Sequence, residues 1–153
     1  MSSMALVQDF LAQKRLAVVG VSRKPEDFSR KLFGELRERG YEVVPVNPLA
    51  DEIDGQRCFA HLQEIQPPVD GALLMTSPEA SERVVQECVD AGVPRVWMYR
   101  AGGTGAVSPK ALQFCEAHNI ALVPGECPLM FLRGSWFHRL HGVVRKITGK
   151  YPH

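Results

Sequence analysis

What this chain lacks narrows it first. Only four of its 153 residues are cysteine, Cys58, Cys88, Cys115 and Cys127. No two stand in a CxxC spacing, and no histidine completes a zinc pattern. The plain reading of the first three is buried free thiols in a reducing compartment. Long apolar runs are also missing. The longest, Leu16 to Val21, is far too short to span a bilayer and misplaced for a signal peptide. The expectation is a cytoplasmic protein with no membrane partner. Charge of one sign is missing too: 18 Lys and Arg face 17 Asp and Glu, for a net +1. That leaves no global field for nucleic acid, so any charged ligand must be recognised locally. There is no GxxxxGK[ST] for a nucleoside triphosphate and no GxSxG around a nucleophile. No repeat, linker or low-complexity segment interrupts the chain, which reads as one domain over residues 1–153. No nucleophile with an oriented base stands out, so no catalytic residue is assigned and a binding module is favoured over an enzyme.

What is present alternates between two periods. Apolar segments predict five strands: Arg15 to Val21, Glu42 to Asn47, Asp70 to Met75, Arg95 to Tyr99 and Ile120 to Val123. Helices are expected over Met4 to Gln13 and Phe28 to Arg39, the second stopped by Gly40. A turn at Asp54-Gly55 and a short helix around Leu62 lie between the second and third strands. Ser77-Pro78 and Ser108-Pro109 each pair an N-cap with a proline at the first helical position. They open helices to Ala91 and His118. A last helix is expected over 136–147. Strands alternating with helices predict a doubly wound, parallel, five-stranded α/β sheet in a three-layer α/β/α sandwich. The strand order expected is 3-2-1-4-5. Its switch point lies between the turns after strands one and four, and ligands bind there.

The first of those turns has the chemistry to match. Leu16 to Val19 is an apolar strand that ends at Gly20. Val21-Ser22-Arg23-Lys24-Pro25 follows, and then the helix. A helix start offers unpaired N–H groups and a partial positive charge, and Arg23 and Lys24 add full ones. The turn is suited to a phosphate. A dinucleotide fits poorly, because the second and third glycines of GxGxxG are missing. The second strand also ends in Asn47-Pro48, with no carboxylate to grip a ribose. An NADP-dependent oxidoreductase remains an alternative through Arg23 or Lys24 and a 2′-phosphate.

These residues carry a resemblance. Gly20-Val21-Ser22-Arg23-Lys24-Pro25, Gly40-Tyr41, Val43 to Pro48, Val69-Asp70, Val96-Trp97-Met98 and Glu126-Cys127-Pro128 look like the coenzyme A-binding domain family. These are small Rossmann-like bacterial proteins, similar to the N-terminal domain of the succinyl-CoA synthetase α subunit. The resemblance spans about Phe10 to Phe131. It implies that Gly20 to Pro25 takes the phosphates of coenzyme A. It places Asn47, Pro48, Thr76, Ser77 and Pro78 at the nucleotide end. Tyr99, Arg100, Ala101 and Gly102 would line the pantetheine path, and Cys127 and Pro128 match the family's Cys-Pro element.

Two departures matter. Members often carry a lysine after the Asn-Pro, but here Leu49 and Ala50 follow, so a 3′-phosphate depends on Arg23, Lys24 or Arg30. The phosphohistidine loop of the synthetases has no counterpart. The resemblance therefore implies binding of coenzyme A or an acyl-CoA without catalysis. A ligase component acting with a partner chain is the other alternative. Cys127, placed at the ligand end, could form a mixed disulfide with the coenzyme thiol or simply fill its loop. His138 and His141 on the last helix read as a solvated face, and its apolar stripe as a docking face for the sheet, with a membrane-surface helix as the minor alternative; a third reading makes this helix a self-association element.

Overall fold

The structure, a computed structural model, describes residues 3–101 and 103–132. Met4–Leu11 (α1) starts at Ser3, whose side chain accepts the Ala5 N–H. Arg15–Val19 (β1), Phe28–Glu38 (α2) and Glu42–Val46 (β2) follow. Glu52–Ile53 (β3) and Gln56–Arg57 (β4) form a small hairpin around Asp54-Gly55. A 3-10 turn over Leu62–Glu64 precedes Gly71–Leu74 (β5). Pro78–Ala91 (α3), Arg95–Met98 (β6), Pro109–Ala117 (α4) and Ala121–Pro124 (β7) complete the described elements. The serine caps form as expected: Ser77 accepts from Ala80 N at 3.1 Å and Ser108 from Ala111 N at 3.3 Å. The expected helix over 136–147, with His138 and His141, lies outside the described residues.

Five strands form one parallel sheet, as expected for this α/β class, but in the order β2-β1-β5-β6-β7. Counting only the long strands, that is 2-1-3-4-5, which corrects the expected 3-2-1-4-5. The reason sits in β2. Pro45 has no N–H, and its carbonyl faces outward to accept from Phe59 N at 3.0 Å. A second full ladder on that side would lack a donor, so β2 belongs at an edge. Phe59 covers part of that edge through a single parallel bridge to Val46. β5, buried along its whole length, takes the central place instead.

Alternate strand residues serve two cores. Leu16, Val18, Leu73 and Trp97 face one side with Phe10 of α1 and Leu32 and Phe33 of α2. Ala17, Val19, Leu74 and Met98 face the other with Val85 and Cys88 of α3 and Cys115 of α4. Chain leaving β1 therefore goes to one face and chain leaving β5 to the other. The switch point lies between these two neighbours, not between strands one and four.

Candidate functional site

At that switch point Gly20 sits with φ +97°, and a Cβ there would stand 2.4 Å from the Met75 carbonyl oxygen. Only glycine lets the two strand ends come so close. The turn beyond it is held from several sides. Asn47 Nδ2 donates to the Val21 carbonyl at 2.7 Å, while Asn47 Oδ1 accepts the Leu49 N–H at 2.8 Å. Ser22 N–H donates to Ser29 Oγ at 2.9 Å, and Ser22 Oγ accepts the Lys24 N–H at 3.0 Å. Arg30 reaches back from α2 and donates to the carbonyls of Ser22 at 3.3 Å and Arg23 at 3.2 Å. Its guanidinium also pairs with Asp54.

The helix start is not an empty anion seat. Asp27 caps α2, accepting the Ser29 N–H at 2.9 Å and the Ser29 hydroxyl at 2.7 Å. The Ser29 hydroxyl, then the Ser29 N–H, and more weakly Lys24, hold its pKa below the usual 3.8 against a small opposing effect of burial. A depressed carboxylate stabilises the fold fully above its unfolded pKa. That contribution fades as pH falls through the lowered folded value.

Among the described residues, three clefts open along the strand ends. The first, about 300 Å³, is lined by Gly20, Thr76 and Tyr99 among the expected residues, and by Asp27, Phe28 and Gly105 among those not foreseen. The Phe28 and Tyr99 rings face each other there, their centroids 5.8 Å apart. A second cleft of about 160 Å³ lies beyond Gly20 and Thr76, which line it as well. Its other walls include Val46, Pro48, Ala80, Arg83 and Val84. The third, about 340 Å³, is lined by Arg100, Ala101, Glu126, Cys127 and Met130. Tyr99, which lines the first, stands beside Cys127 of the third. Burial raises the pKa of its hydroxyl, and Cys127 raises it further through charge and a hydrogen bond. The Glu126 carbonyl is held by Arg100 N at 3.1 Å and by the Trp97 indole at 3.2 Å.

Some expected residues take other places. Arg23, Lys24 and Pro25 are exposed on the outside of the turn and line none of these three clefts. Arg30, expected as a phosphate contact, instead braces the turn. Ser77 and Pro78 start α3, and Val21 and Pro128 are buried. Gly102 lies outside the described residues. Asp27 was available to sequence reading as an N-cap just before the apolar helix period. Arg83 was available through its spacing from Ala80 on one helix face. Among the described residues no three His, Cys, Asp or Glu gather to hold a metal. Cys58, Cys88 and Cys115 are buried free thiols, as expected, and burial pushes the Cys115 pKa up to about 11. No helix of the described residues is long and apolar enough to cross a membrane.

Residues 14–133 match the family described as CoA binding domain. The chain is 29% identical over 126 residues to the uncharacterized protein YneT of Bacillus subtilis, a match covering 82% of this chain and 90% of that protein. It is 30% identical over 94 residues to the α subunit of an ADP-forming acetate–CoA ligase II of Pyrococcus furiosus. That match takes in 61% of this chain but 21% of the subunit, so the chain spans about a fifth of that relative. A conserved hypothetical protein of Pyrococcus furiosus shares the fold with a TM-score of 0.68 and 30% identity, over 74% of this chain and 95% of that one.

Proposed function

The chain belongs to the CoA binding domain family, and from that premise we propose that it binds coenzyme A or an acyl-CoA as a non-catalytic carrier or regulatory module. The observation that carries this reading is the row of clefts along the switch point. Gly20 and Thr76 line two of them, and Tyr99, which lines the first, stands beside Cys127 of the third. An extended ligand lies along this path with its diphosphate over Gly20 to Pro25. Its nucleoside rests by Asn47, Pro48 and Thr76, and its pantetheine arm passes Phe28 and Tyr99 toward Cys127. Ligand groups of mixed character suit such a crevice, apolar at the aromatic pair and basic at the turn.

The magnitudes are sufficient. Hydrogen bonds to charged groups contribute about 1.5–3 kcal/mol each. A few of them, with apolar burial of the arm, reach the −8 kcal/mol or so of micromolar affinity. Titration calorimetry on the full chain is expected to give micromolar binding of coenzyme A and none of NADPH. Heat with NADPH and none with coenzyme A would replace this reading with the oxidoreductase one. The ligase relative favours a second reading, in which the chain supplies the coenzyme site to a partner chain. A partner that co-purifies and confers acyl-CoA formation would select it.

Asp27 opposes an anionic ligand in the first cleft. Asp27→Asn keeps a capping side chain and removes the charge. It is expected to tighten coenzyme A binding about twofold to fivefold, the worth of an exposed charge pair of about 0.3–1 kcal/mol. Weaker binding in this variant, with the melting temperature unchanged, would place the phosphates elsewhere.

A further inference from the structure

Resting on the coenzyme reading, we infer that Arg83 recognises a phosphate monoester at the nucleoside end of the ligand and so selects the 3′-phosphorylated form. The argument begins with the second cleft. It is walled by Val46 and Pro48 at the end of β2 and by Ala80 and Val84 of α3. Its volume of about 160 Å³ admits a flat ring and little more. It meets the first cleft at Gly20 and Thr76, so a diphosphate on the turn sends its nucleoside this way.

Arg83 is the guanidinium in that wall. It is exposed, and among the described residues its side chain makes no hydrogen bond and no ion pair. The carboxylates one helical turn away, Glu79 and Glu87, would ordinarily neutralise it. Of these, Glu87 lines the same cleft as His61 but is held by other partners: Oε1 accepts the Leu62 N–H at 3.1 Å, and Oε2 lies 3.1 Å from His61 Nδ1. Glu79 makes no ion pair with Arg83 among the described residues.

Of the other cations, Arg23 and Lys24 sit exposed on the turn and do not line this cleft, and Arg30 and Arg57 are committed. Arg30 is held by the Ser22 and Arg23 carbonyls and by Asp54. Arg57 lies over the Phe59 ring at 4.4 Å. The turn after Pro48 offers only Leu49, 70% exposed, and Ala50. An unpaired guanidinium beside an apolar ring slot has the planar, two-pronged donor set that phosphate monoesters take.

The test compares coenzyme A with 3′-dephospho-coenzyme A, by calorimetry, on the full chain and its Arg83→Gln and Arg83→Lys variants. The wild type is expected to prefer coenzyme A by about tenfold to a hundredfold. Arg83→Gln should erase that preference by weakening coenzyme A alone, and Arg83→Lys should restore part of it. The exposed position keeps the fold intact, which thermal melting verifies. Equal affinity of the wild type for both ligands overturns the assignment, as does a loss in Arg83→Gln that strikes both equally. If the wild type binds neither ligand, the coenzyme reading itself fails and this assignment falls with it.

Discussion

Gly20→Ala is expected to lower the melting temperature by about 5–15 °C and to abolish measurable coenzyme A binding. The new Cβ would stand 2.4 Å from the Met75 carbonyl oxygen, 3.0 Å from its carbon and 3.3 Å from Thr76 Cγ2. Two of these neighbours are backbone, so no flexible side chain can yield. The φ of +97° adds strain that L-residues avoid, at a cost of about 1–3 kcal/mol. Overpacking adds about 1–3 kcal/mol more. For a chain of this size each kcal/mol moves the midpoint by roughly 2–4 °C or slightly more. Relief can come only by prying β1 from β5, and that deforms the two clefts that meet at Gly20. Gly34 of α2 is the internal control. Nothing lies within 4 Å of a Cβ there, so Gly34→Ala should be neutral or slightly stabilising. A Gly20→Ala protein that melts with the wild type and binds equally well would remove Gly20 from the centre of the site.

The second large effect is expected from charge. Arg23→Ala combined with Lys24→Ala should weaken coenzyme A binding by about 2–4 kcal/mol, roughly 30-fold to 1000-fold. Both residues are exposed, so the melting temperature should hold. Their place on the outer side of the turn makes the effect depend on salt, since exposed charges are screened over about 10 Å at 0.1 M. The loss should therefore shrink as ionic strength rises. On the proposed reading, in which these cations serve the diphosphate, it should also strike 3′-dephospho-coenzyme A to the same degree. A loss confined to coenzyme A would assign them to the 3′-phosphate in place of Arg83, and an unchanged affinity would leave them as solvated turn residues.

Local features of this fold were legible because their causes are local. Ser77-Pro78 and Ser108-Pro109 declare their helices through caps formed within three residues. Gly92, in the left-handed region, ends α3 where the apolar period stops. Asp54-Gly55 closes a hairpin, and Leu62 starts a short helical turn, both as expected. Strand order is a different kind of fact, since it depends on which strands meet across 24 residues or more. The signal was nonetheless present: Pro45 argues for an edge and against a full ladder on both sides of β2.

The site was legible in part for the same reason. Gly20 and Thr76 could be placed near the switch point because strand ends share one rim of any parallel sheet. The role of Arg30 could not, because it depends on Asp54, 24 residues away and on another element. Arg83 was not singled out, because its place beside Pro48 depends on how α3 lies against the end of β2. Asp27 was hidden by the expectation of a bare helix start, although an aspartate just before a helix is the commonest way to cap one.

The cross-bracing of the first turn by Asn47 and Arg30 bears on how fast and how selectively the protein can work. Its carbonyls are drawn aside before any ligand arrives. The entropy of ordering that loop is lost during folding, so association need not wait for a rearrangement. A mould of this kind favours rapid association and rejects anions whose shape does not match it.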